Sequence, residues 1–72
     1  MEEVSYRKIA IGSDLKDALY YAKGTKFRNK EISDIILKDG WFTVYLKKGD
    51  EIQPWKSFKE SVVTVKELEL IE

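Results

Sequence analysis

DGWFTVYLKKGD, residues 39–50, is strand-forming sequence set between two turns. Successive side chains of a strand point to opposite faces, so Trp41, Thr43 and Tyr45 share one face and Phe42, Val44 and Leu46 share the other. A strand with core on one side and water on the other alternates apolar and polar residues. Here both faces are apolar, and the fold depends on what covers the second one.

The neighbouring segments supply strands on both sides. Asp39-Gly40 joins this run to ISDIILK (32–38), and Asp-Gly between two strand-like runs predicts a type I′ hairpin with positive φ at both central residues. Gly49-Asp50 centres the next turn and leads into EIQPWKSF (51–58). Pro54 has no N–H to give to a ladder, which places that segment at an edge, a bulge or a strand end. ESVVTVKELELI (60–71) supplies a last strand at 62–65, continued over 68–71 across a kink. EEVSYRKIAI (2–11) reads as the first strand. Val4 and Tyr6 differ in parity from Ile9 and Ile11, and a bulge or bend at Arg7-Lys8 reconciles them. This strand is expected beside the last one.

GSDLKDALYYAKG (12–24) carries a helix signature. Ser13 suits an N-cap, Asp14 and Asp17 suit the positive end of the dipole, and Gly24 suits a left-handed stop. Leu15, Ala18, Leu19 and Ala22 fall on one helical stripe. The pattern predicts a helix over 14–23. The expected architecture is therefore α+β in the order β-α-β-β-β-β. A twisted antiparallel sheet of about five strands, curling toward a small barrel, packs against one helix.

A 72-residue chain is one domain with a small core. At 43% hydrophobic and 36% charged, the composition is that of a folded protein, not a disordered one. One Asn, one Gln, no Cys and many charges give it a thermophile-like cast. No apolar run is long enough to span a membrane and no signal-peptide layout opens the chain, so a cytoplasmic location is expected. Net charge is zero, but residues 4–59 carry +5 while residues 60–72 carry −3. Neutrality argues against a purely charge-driven nucleic-acid coat and leaves room for a local basic patch.

With no His and no Cys, the common nucleophilic triads, the usual neutral-pH base and most zinc sites are missing. The four glycines form no phosphate-cradling motif. Asp14/Asp17 and Asp50/Glu51 read as helix and turn acids, not as catalytic pairs. No enzymatic activity and no cofactor or metal is expected. The helix, with acids at its N-terminus, is not expected to read a DNA groove.

What stands out is aromatics interleaved with bases. Trp41, Thr43, Tyr45 and Lys47 alternate along one face, Trp55 and Lys56 lie on the next strand, and Lys26, Arg28 and Lys30 alternate along the segment entering the sheet. Such rings serve as protein-binding anchors, and one short helix cannot cover two apolar sheet faces. The first expectation is thus a non-catalytic binding module that docks a protein partner or a second copy through this face. The alternative is single-stranded nucleic acid, with rings stacking on bases and cations on phosphates. The plainer reading is that the rings are core and the lysines protect strand edges.

Overall fold

The computed structural model describes residues 3–68. Its seven strands are β1 (Val4–Ile11), β2 (Leu19–Ala22), β3 (Lys26–Phe27), β4 (Lys30–Lys38), β5 (Trp41–Lys48), β6 (Glu51–Lys59) and β7 (Val63–Leu68), with a 3-10 turn at Glu60–Val62. All pairings are antiparallel, in the order β2-β1-β4-β5-β6, with β3 beside β4 and β7 beside β1. The last strand starts at Val63, with Val62 in the 3-10 turn, and runs to Leu68 as one element where a kink was expected; the expected continuation over 69–71 lies outside the described residues.

The hairpin turns follow their residues. β4 and β5 meet through Asp39 (φ 54°) and Gly40 (φ 81°), the pair of positive φ values a type I′ turn requires. β5 and β6 meet through Gly49-Asp50, where Gly49 supplies φ 62°. In β1, the pairing with β7 shifts register between Tyr6 and Lys8, so Arg7 is the extra residue of a bulge. That shift turns Tyr6 and Ile9 to the same interior, where both are buried.

The α+β assignment does not hold, because the helix over 14–23 is absent. Residues 12–18 are irregular, and Leu19–Ala22 is a strand paired with Lys8–Ile11. Short polar side chains that cap helices also close turns on their own backbone. The Asp14 carboxylate does this, accepting from the backbone N–H of Lys16 (2.8 Å) and of Asp17 (3.1 Å). The stripe finds no core to meet, since Leu15 is 55% and Leu19 65% exposed. Gly24 does take a positive φ of 91°, but it ends a strand, and its N–H donates to the Ile32 carbonyl at 2.8 Å.

In place of the helix, the sheet covers itself. Tyr21 on β2 meets Phe58 (5.4 Å between ring centroids) and Trp55 (5.9 Å) on β6, at the far end of the strand order. In a flat sheet those strands would lie about 19 Å apart. The sheet is therefore curled, with Ile9, Ile35, Phe42 and Val44 fully enclosed and Tyr6, Ile32, Leu46 and Val63 sealed around them. The Tyr6 ring meets Phe42 edge-on at 5.0 Å. Phe42, Val44 and Leu46 are the inward face of β5, and Trp41, Thr43 and Tyr45 face outward.

Candidate functional site: the outer sheet face

Residues paired across strands share a face, so the registers map the outer surface. One row runs Lys38–Trp41–Lys59, the next Ser5–Ile36–Thr43–Ser57, and the next Asp34–Tyr45–Pro54. A last row, Lys26–Glu31–Lys47–Ile52, closes the end nearest the turns. Among the described residues no helix or further strand lies over these rows.

Trp41 is 46% exposed, with the Lys59 ammonium 5.9 Å from its ring centroid. Tyr45 and Thr43 are half-buried, and Lys47 is exposed. Tyr45, Ile36 and Ile52 line one shallow depression together with Asp34 and Glu3. Both of those acids are engaged, Asp34 with Lys23 (3.9 Å) and Glu3 with Lys38 (3.8 Å). Exposed pairs of this kind contribute about 0–1 kcal/mol each, so they moderate charge more than they stabilise the sheet.

Trp55 does not share this face. Val44 pairs with Lys56 and Tyr45 with Pro54, so Trp55 is the extra residue of a bulge on β6. The bulge re-aims its ring toward Phe27 (5.4 Å) and Tyr21, both packed against the core. Trp55 stays 41% exposed at the mouth of the curl, with the Lys56 ammonium 5.3 Å from its ring centroid. The sequence therefore holds two aromatic surfaces where one was expected. Tyr21 and Phe27 beside Trp55 are not legible in the sequence, where the only signal is the proline next to the bulge.

Lys26, Arg28 and Lys30 do not alternate along an extended run. Arg28-Asn29 forms a tight turn between β3 and β4, and Arg28 has φ 55°. The turn nevertheless gathers the expected cations. Lys26, Arg28, Lys30 and Lys47 line one depression of about 170 Å³ with Asn29, Glu31 and Gly49.

Among the described residues, no group of three or more Asp, Glu, His or Cys side chains is placed to hold a metal ion. No helix in them is long and apolar enough to cross a membrane. No protein-family model, curated protein or solved structure matches the chain.

Proposed function

We propose that this chain is a small, cytoplasmic, non-catalytic binding module that acts through its outer sheet face, with a second copy of itself as the occupant. The observation that carries this reading is the pattern about Thr43 and Ile36. Two residues to one side lie Trp41 and Lys38; two residues to the other lie Tyr45 and Asp34. A two-fold axis above the Thr43–Ile36 pair, parallel to the sheet, across the strands and midway between the two stacked copies, sets Trp41 over Tyr45 and Lys38 over Asp34. It also sets Ile36 over itself. Isologous contacts require this self-complementarity.

The scale of the face sets the strength. Three to four strands at about 4.8 Å spacing and about 20 Å of length give a footprint of about 300–400 Å². A standard interface covers about 800 Å² per partner, so the association is weak and depends on concentration. Sedimentation equilibrium should show a monomer–dimer equilibrium, shifted to monomer by Trp41→Ala and by Lys38→Glu. A wild-type chain that remains monomeric at the highest attainable concentration would remove this reading.

The second reading, single-stranded nucleic acid on the same face, is favoured by one observation. Among the described residues, five of the six cations with neither an ion pair nor a ring contact collect at the Lys47 end of that face, about 20 Å along β5 from the exposed indole. In that case oligonucleotides should quench Trp41 fluorescence, and the quenching should vanish with added salt.

A further inference from the structure

Most cations of this chain already have a counterpart inside the fold. Arg7 pairs with Glu67, Lys66 with Glu60, Lys38 with Glu3 and Lys23 with Asp34. Lys8, Lys56 and Lys59 lie over the rings of Tyr20, Trp55 and Trp41. Among the described residues, those with neither kind of contact are Lys16 in the irregular segment and Lys26, Arg28, Lys30, Lys47 and Lys48. The last five all belong to two hairpin ends that lie side by side. Asn29 and Gly49, one from each turn, line the same two depressions.

We infer that these two hairpin ends form an anion site for a phosphate-bearing ligand, held by Lys26, Arg28, Lys30 and Lys47. Three features argue for it. The first is charge concentration. Four cations and one acid, Glu31, line a depression of about 170 Å³ in a chain whose net charge is zero. Glu31 lies in register between Lys26 and Lys47, yet it makes no ion pair within 4.0 Å with either of them. Like charges held together repel until a counter-charge arrives. The second is position. Arg28 takes φ 55° in the two-residue turn between β3 and β4, a conformation such turns require, and the turn carries the one guanidinium among the four cations to the tip. The third is chemistry. A guanidinium fork flanked by ammonium groups matches a phosphate, which offers several oxygens and more charge than a carboxylate. The depression is smaller than the roughly 300–1,000 Å³ of a drug-sized pocket, which suits one or two phosphate groups.

This site stands apart from the docking reading, since it needs neither a second copy nor Trp41. The test is titration of the intact chain at low salt with inorganic tripolyphosphate, with oligothymidylate and with poly-glutamate, following backbone amide shifts. Tripolyphosphate should move the amides of residues 26–31 and 47–49. Arg28→Gln should weaken it about tenfold, the loss of one charge-assisted contact. Lys16→Gln, which removes the isolated cation, should leave binding unchanged. If the phosphates come from a nucleic acid, oligothymidylate binds more tightly than tripolyphosphate and quenches Trp41. Neutralising four phosphates then gives a log–log salt slope of about −3, or about 60-fold between 50 and 200 mM salt. If the ligand is a free polyphosphate, the oligonucleotide binds no better and the indole is silent. Equal effects of Lys16→Gln and Arg28→Gln, amide shifts spread over the whole chain, or poly-glutamate binding as well as tripolyphosphate would each overturn the inference.

Discussion

Phe42→Ala should cost about 3–5 kcal/mol, whereas Trp41→Ala, one residue away, should cost only about 1–2 kcal/mol. Phe42 is fully enclosed and packs against Tyr6, so its removal leaves a cavity between β1 and β5. Trp41 keeps nearly half its surface in water, and its loss opens no cavity. A domain of this size has roughly 4–11 kcal/mol of stability in total. The Phe42 variant should therefore be largely unfolded or close to it, and the Trp41 variant folded. Urea denaturation followed by circular dichroism reads both. The reverse order of costs would mean that β5 presents its other face to the core.

Gly12→Ala should destabilise by roughly 1–3 kcal/mol. Gly12 has φ +156°, and a Cβ there would stand 3.1 Å from the Ala18 Cα, which is backbone and cannot swing aside. The close approach folds the 12–18 segment back on itself. It also leaves the Gly12 carbonyl free to accept from the Thr64 hydroxyl, and the Gly12 N–H donates to Val62 at 3.4 Å. Leu19→Ser, by contrast, should fall within about 0.5 kcal/mol of the parent, since Leu19 is 65% exposed. In a helix packed on the sheet the order would invert, because Gly12 would precede the helix and Leu19 would anchor it. Thermal unfolding of the two variants separates these outcomes.

The strands from β4 to β6 were legible because their turns are written in residues with narrow conformational choices. Asp39-Gly40 and Gly49-Asp50 leave little else to form, and Pro54 marks the edge strand. The Arg7 bulge was also legible, through a change in hydrophobic parity. The segment 12–24 was not, for a definite reason. Ser, Asp and Gly serve helix ends and irregular turns equally, and a four-position stripe is short enough to fit a helix or a strand. The choice is made by tertiary pairing, here between Leu19–Ala22 and Lys8–Ile11, which no local pattern records. Trp55 leaves the Trp41 face because a one-residue bulge reverses its side chain, and the sequence signal of that bulge is only a neighbouring proline. Lys26, Arg28 and Lys30 meet for a reason other than strand alternation. A turn, not an extended run, brings them together, and it adds Lys47 from the next hairpin.

β5 divides its residues between a sealed interior and an open outer surface. The most direct measurement uses the Trp55→Phe chain, in which Trp41 is the sole indole. In dilute solution, where the chain is monomeric, its fluorescence should be red-shifted and readily quenched by iodide. A blue-shifted emission shielded from iodide in the same monomer would place Trp41 in the interior and contradict the account.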